Sequence, residues 1–511
     1  MLSASLAFGQ DSDFGGDFSG DFSDDFGGGF GDSSSSGSGF SMTQLELSGE
    51  AEVNFRGYFD DDGHSADNPL AVKDWETEAA PKGKINLKYN NDSVSAEVKF
   101  ALSKDILDDY KEDIIDEMTL ESYLGNFTVQ AGKMKVVWGK GDKLHAVDNF
   151  NANDYTDFVI PDYIDRRIAE PMLRVIYNVP SDIGPFSSSR FEAVWTPFFT
   201  ADRYASSGKW VPAQVSNLSE TLAKNAGGKI VAQGIAAAAA AKGDDAALAV
   251  KNQALYTKMM SNATTLADEI YPDTRRLKYM QAGARFTTTT GSLDWGVSYY
   301  AGRDKTASID YSKMDSFVEK HLAGTAGDDD KFIDYDLMQV FGLEAAKTFG
   351  AYNFRAEGAY NLTKDVDGDD PAVRNNSVSW VAGFDRDIPL SEINVNVQAQ
   401  GKFIVHKDKI DDNKIGGTNF DTEGGSYRND VKLVVNISDT LAHGKVKPEV
   451  TAIYGFQHYD LIVVPKITWY VSDGLEFSAL GMYMASYDTD RTEFPGWHNN
   501  GFVQFGAKYT F

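Results

Sequence analysis

From Leu45 onward apolar and polar residues alternate with a period of two. Leu45, Leu47, Ala51, Val53 and Phe55 share one parity, and Glu46, Ser48, Glu50, Glu52 and Asn54 the other. Successive side chains of a strand point to opposite faces, so such a segment is oily on one side and wet on the other. The order returns in Ile85/Leu87/Tyr89, then, past Asn90-Asn91-Asp92, in Val94/Ala96/Val98/Phe100. It recurs in Met118/Leu120/Leu124, Phe127/Val129/Ala131, Ile393/Val395/Val397/Ala399 and Leu433/Val435/Ile437. About eighteen such runs, near the length with which a tilted strand crosses a bilayer, centre on 52, 86, 98, 121, 131, 174, 194, 282, 297, 341, 356, 381, 398, 433, 450, 467, 480 and 506.

The connections between runs differ in length. Tight turns are predicted at Asn90-Asn91-Asp92, Gly125-Asn126, Thr290-Gly291-Ser292, Phe349-Gly350-Ala351 and Ser472-Asp473-Gly474. Long acidic or Gly-rich stretches lie near 60–80, 139–169, 199–275, 303–332, 362–376, 405–426 and 486–499. Short turns at one end and long loops at the other are the asymmetry of a membrane barrel, which a soluble β-sandwich does not share. Trp195, Trp295, Trp380, Trp469, Tyr352, Tyr360, Tyr454 and Tyr483 fall on the oily parity, as amphipathic rings at a membrane–water boundary do. The expected fold is all-β: a closed antiparallel transmembrane β-barrel of about 18 strands spanning 43–511, with long external loops and one helical insertion.

Composition sharpens this picture. The 511 residues carry 48 Lys+Arg against 76 Asp+Glu, a net charge of −28 that argues against a nucleic-acid partner. No run approaches an apolar membrane-spanning helix. The chain has no Cys, which removes disulfides and thiolate chemistry. Residues 1–10 read as the remnant of an export signal, although no Lys or Arg precedes Arg56. Residues 11–42, with Phe14, Phe18, Phe22, Phe26 and Phe30 among Asp, Gly and Ser, read as a disordered acidic tail.

The segment 204–271 departs from the strand pattern. Leu218–Lys242 and Asp245–Ile270 are Ala-rich and predict a helical hairpin hinged at Gly243-Asp244-Asp245, on the external side. It either plugs the mouth or projects as a cap.

The final run, Gln504-x-Gly506-x-x-Tyr509-x-Phe511, resembles the C-terminal signal of bacterial outer-membrane barrels. That resemblance implies insertion into outer-membrane lipid by the barrel-assembly machinery. A second set of residues covers roughly 127–200: Gly132 to Gly139 with Trp138, then Asp148, Asn149 and Asn151, then Pro171-Met172-Leu173, then Glu192 to Pro197. It resembles a porin-like family similar to the alginate-export porins, which implies eighteen strands and a transport function.

On the wet parity, Glu50, Glu52, Lys84, Lys88, Lys99, Arg174, Glu192, Arg285, Arg355 and Lys402 are candidate lumen-lining residues. Glu50 and Glu52 are expected to meet Lys84 and Lys88 across neighbouring strands, and most such charges to neutralise one another. A balanced lining does not suit an anionic polymer. In the loop 140–170, Asp142, Asp148, Asp154, Asp157, Arg166 and Arg167 are candidates for a pore constriction that opposes carboxylates to guanidiniums, or else for an external surface loop. Asp365-Val366-Asp367-Gly368-Asp369-Asp370 resembles the start of a calcium loop without its distal Glu, so divalent cations are possible partners of the acidic loops. Asp60-Asp61-Asp62 and Asp328-Asp329-Asp330 read as solvated charge.

No cofactor and no catalytic residue are expected. His64, His145, His321, His406, His443, His458 and His498 are scattered, and neither HExxH nor G-x-S-x-G occurs. The function these features suggest is a channel for small hydrophilic solutes in a cell outer membrane. An adhesin or ligand-binding protein on a barrel platform is the alternative, and a fatty-acid-type transporter a third.

Overall fold

The period-two order resolves into strands that pair with their neighbours in the chain. The computed structural model describes residues 45–58, 77–142, 144–158, 163–410, 414–415, 418–419, 422–423 and 426–511. The expected signal remnant, the acidic tail, Asp60-Asp61-Asp62 and His64 lie outside these residues, as does the side chain of His498.

The first six strands are β1 (Leu45–Tyr58), β2 (Thr77–Asn90), β3 (Val94–Ser103), β4 (Ile115–Leu124), β5 (Phe127–Met134) and β6 (Glu170–Asn178). There follow β7 (Ser187–Thr196), β8 (Gln281–Thr290), β9 (Leu293–Arg303), β10 (Leu337–Phe349), β11 (Tyr352–Thr363) and β12 (Ser377–Ile388). The last six are β13 (Ile393–Ile404), β14 (Asn429–Ser438), β15 (Val446–Gly455), β16 (Asp460–Ser472), β17 (Leu475–Ser486) and β18 (Phe502–Thr510). All eighteen expected centres fall inside them.

Each strand pairs antiparallel with the next, and β18 returns to β1 with Thr510 opposite Glu50 and Phe502 opposite Tyr58, which closes the barrel. Closure satisfies the backbone of every strand edge. The seam is tied off at the chain end, where the Phe511 N–H donates to Gly49 O and the Gly49 N–H to Phe511 O, at 2.9 and 3.0 Å. Gly49 has no Cβ for a reason: one would lie 2.7 Å from the Phe511 ring. Leu47, Phe55, Leu120, Leu343, Trp469, Tyr483 and Phe505 are exposed on the outer wall. Their neighbours of opposite parity point inward.

Short connections at one end include Gly125-Asn126, Gly291-Ser292, Gly350-Ala351 and Asp473-Gly474, each with a Gly at positive φ. Long connections gather at the other end. Alternation is not strict: β15 and β16 are joined there by only Phe456 to Tyr459, because His458 and Tyr459 fold the chain back at once, Tyr459 with φ of 57°.

The insertion is helical, with boundaries that differ from expectation. Helix α1 (Ala213–Ala241) starts five residues earlier than predicted, directly after Pro212, whose missing N–H costs nothing at a helix entrance. Helix α2 (Ala246–Ala263) is capped by Asp245, whose side chain accepts from Leu248 N at 3.0 Å, and stops before Ile270. The base of the hairpin buries Leu218, Leu222 and Met259 against Phe317, Val318 and Leu322 of helix α3 (Tyr311–Ala323), in the β9–β10 connection. Farther out, Val231, Ile235 and Val250 are exposed. The hairpin therefore stands on a neighbouring loop.

Candidate functional site

The interior is built by the chain between β5 and β6, which folds into the barrel. Trp138 and Phe150 are wholly buried, edge to face with each other at 4.9 Å, and Phe150 meets Tyr300 of β9 at 5.2 Å. The Trp138 indole N–H donates to Glu192 Oε1 at 2.9 Å, and Arg174 Nε donates to the same oxygen at 2.7 Å. Asn151 ties the stems of the loop together. Its Oδ1 accepts from Val136 N, while its Nδ2 donates to Met134 O and Ile168 O at 3.1 and 2.9 Å. Inward-facing Val340, Val381, Val434, Ile453, Ile462 and Met484 join the same buried cluster. The inserted loop and these inward side chains therefore fill part of the lumen. Loop backbone brought inside a barrel needs apolar packing and hydrogen-bond partners, and these residues supply both.

The six candidate constriction residues all belong to this inserted loop, but they do not face one another across an open gap. Asp148 is paired with Arg167 Nη2 at 2.7 Å inside the loop. Asp157 takes two bonds from Arg56 of β1, at 3.1 and 3.0 Å. Asp154 binds Arg203 at 2.8 Å, whose other terminal nitrogen reaches Asp113 at 2.7 Å. Asp142 accepts from Asn396 of β13 and lies 3.7 Å from Arg355. Arg166, 2% exposed, sits over the Tyr155 ring at 5.1 Å. An unpaired charge inside the barrel is costly, so these carboxylates are paired directly, and Asp154, Asp157 and Arg167 also line the cavity described below.

Burial also moves titration in the loops. It pushes the Asp148 carboxyl up against the opposing pull of Arg167. Asp202, whose Oδ1 accepts from Asn153 N at 2.7 Å, is pushed up to about 7 by burial. Burial lowers His145, but Glu357 beside it outweighs this and raises it.

The lining residues lie on the inward parity. Lys84 meets Glu50 at 3.2 Å and Asp165 at 2.9 Å. Lys88 stands opposite Glu46, and Glu52 lies between Lys82 and Lys508, so the expected Glu52–Lys88 pairing is incorrect: the β1–β2 register pairs them with other residues. Lys99 binds Glu117 at 3.0 Å, Arg285 binds Glu344 at 2.5 Å and Arg355 binds Asp385 at 2.5 Å. Lys402 is in register with Asp430.

A cavity of about 460 Å³ runs between the inserted loop and the wall formed by β1–β3 and β15–β18. Its lining extends from Glu476 and Lys508, near the tight turns, to Asp105 and Tyr110 in the β3–β4 connection at the loop end. Ten carboxylates and eight basic side chains line it. Beside its loop-end portion, Tyr58, Phe158, Trp210, Phe494, Trp497 and Phe502 form a buried aromatic cluster, with Trp497 Nε1 donating to Val211 O at 3.0 Å.

Asp365 accepts from Gly368 N and Asp370 N, both at 2.9 Å, so its carboxylate holds the turn. Among the described residues no group of three or more His, Asp or Glu is arranged for a metal ion. At the C-terminus Gln504 points inward and accepts from Arg56 Nε at 2.9 Å, while Tyr509 and Phe511 are exposed outside. A Cβ on Gly506 would lie 2.5 Å from Asn54 Oδ1. Sequence reasoning missed Arg56, Arg203 and the role of Glu357. Arg56 and Glu357 carry the inward parity of their strands, and Arg203 carries no such signal.

No family model matches this chain, and no curated protein matches it. Among solved structures it is similar to OpdO of Pseudomonas aeruginosa, at 9% identity and a TM-score of 0.43 over 92% of this chain and 97% of that one. OccAB4 of Acinetobacter baumannii matches at 8% identity and 0.43, over 92% and 98%. OmpF of Salmonella typhi, solved as a complex with daunomycin, matches at 9% identity and 0.37, over 91% and 97%. The fold itself rests on the strand pairing: a closed antiparallel barrel of eighteen strands.

Proposed function

We propose that this chain is a porin-like channel of a bacterial outer membrane, through which small hydrophilic solutes diffuse. The observation that carries the reading is the charged cavity beside β1–β3 and β15–β18, whose lining reaches from the turn end to the loop end. The apolar outer wall suits lipid, and the polar inner parity suits water. With carboxylates and bases nearly balanced, the lining favours small zwitterionic or weakly cationic solutes over an anionic polymer, contrary to an alginate-type cargo. On this reading Gln504, Gly506, Tyr509 and Phe511 serve as the signal read by the assembly machinery, and the long connections lie outside the cell. Purified, refolded protein reconstituted in planar bilayers tests the proposal. Discrete conductance steps are expected; no conductance at any voltage, with and without residues 213–263, would refute it.

A second reading, a binding protein that displays its loops from a barrel platform, is favoured by the exposed Val231, Ile235 and Val250 on the outer part of the hairpin. A channel keeps its conductance when the hairpin tip is removed, whereas a binder loses its ligand.

A further inference from the structure

Glu357 of β11 is 5% exposed and holds the tip of the inserted loop from the far wall of the barrel. Its Oε1 accepts from Gly141 N at 2.5 Å and from His145 Nδ1 at 3.0 Å. Its Oε2 accepts from Ala146 N at 2.6 Å and Val147 N at 3.3 Å. Four donors from one short segment thus converge on a single carboxylate, a stronger contact than neutral hydrogen bonds of the same number. The approach is possible only because two glycines lack side chains. A Cβ on Gly139, where φ is +123°, would lie 2.2 Å from Glu357 Oε1, and one on Gly141 3.0 Å from it. Arg285 adds a bond to Gly139 O at 3.3 Å. The base of the loop is held differently, by Asp148–Arg167, Asp157–Arg56 and the bonds of Asn151 to both stems.

We propose that Glu357 is a latch: together with Asn396 of β13, which donates to Asp142, it holds residues 139–142 and 144–147 across the lumen against the β11–β13 wall, and its loss loosens that segment while the base stays anchored. Freed, the tip opens a second path along β8–β13, opposite the charged cavity. This rests on the channel reading for its consequence, but not for its mechanism, so the two are measured separately.

The chain has no Cys, so Ala146→Cys gives a unique label at a buried position beside the carboxylate. Labelling of folded, detergent-held A146C by a hydrophilic maleimide is expected to be slow with Glu357 present. It should accelerate at least roughly tenfold when E357A or G139A is added, because a buried thiol reacts only when its segment opens. Unit conductance of E357A in planar bilayers should rise roughly twofold over wild type as the lumen widens. Should E357A fail to refold, E357Q, which keeps the shape but loses the charge, and G139A test the same contact. Faster labelling without conductance in any variant would uphold the latch and sink the channel. Unchanged labelling in folded E357A or E357Q, whatever the conductance, would overturn the latch.

Discussion

Arg56 of β1 grips Asp157 of the inserted loop through two bonds, Nη1 to Oδ1 at 3.1 Å and Nη2 to Oδ2 at 3.0 Å. The two partners are unequal. The Arg56 side chain is 9% exposed and that of Asp157 32%.

That inequality sets an asymmetric mutational response. Asp157→Ala leaves a guanidinium buried over the Phe502 ring at 4.4 Å, bonded to Gln504 and Tyr58 among the described residues. Arg56→Met instead leaves a carboxylate with access to water. Losing the partner of a buried charge is the costlier event. D157A should destabilise by about 2–3 kcal/mol and R56M by about 1–2 kcal/mol, read from urea midpoints of refolding in micelles. Equal losses would show that the pair is effectively solvated.

The cavity beside β1–β3 and β15–β18 carries ten carboxylates and eight bases, so its lining is slightly acidic. Reversal potentials across a KCl gradient should show a weak preference for cations. Lys82→Glu, which alters a lining residue on β2, should strengthen that preference. The effect should fade towards 1 M salt, where screening acts over about 3 Å. Anion preference in wild type would place the conducting path elsewhere.

His458 sits in the short turn between β15 and β16, with Nδ1 against Arg491 O at 2.8 Å and Nε2 against Asp430 Oδ2 at 3.3 Å. Burial acts to lower its affinity for a proton. The Asp430 bond and the Glu493 charge outweigh burial and raise its pKa to about 9. A group raised on folding binds its proton more tightly in the folded state. Its contribution is therefore complete below the unfolded value near 6.5 and is lost as pH rises through about 9. Thermal midpoints in micelles should fall between pH 7 and 10, on the order of 1–3 kcal/mol in stability. His458→Gln should flatten that slope, and an unchanged slope would remove His458 as its source.

The strands were legible because their outer wall is apolar at every second residue, and all eighteen expected centres fall within observed strands. The filled interior was less so, although its trace is present. In β16 the run Leu461-Ile462-Val463-Val464 is apolar on both parities, and so is Leu433-Val434-Val435 in β14. A strand apolar on both faces is covered on both faces. Glu357 could be placed on the inner wall by parity alone, but its partners lie more than 200 residues earlier in the chain. Only closure of the barrel brings Gly141 and Ala146 to it. The Glu52–Lys88 expectation failed for a narrower reason: parity fixes the face, whereas the register, which pairs Glu52 with Lys82, depends on the connection between β1 and β2.

The helical hairpin should tolerate shortening at its tip but not removal at its base. Leu218, Leu222 and Met259 cover Phe317, Val318 and Leu322, the last three at most 1% exposed. The tip, by contrast, holds Val231, Ile235 and Val250 in the open, with Gln233 Nε2 donating to Asn252 O at 3.1 Å as a link between the two helices. Replacing 234–252 by a short Gly-Ser linker removes little buried surface, so the thermal midpoint should move by no more than about 2 °C. Deleting 213–263 strips three large apolar side chains of their cover, each carrying about 1.5–3 kcal/mol of burial. Limited proteolysis should then cut within 304–336 at protease concentrations that leave wild type intact. Equal resistance in both deletions would mean that α3 is held by the barrel rim and owes nothing to the hairpin.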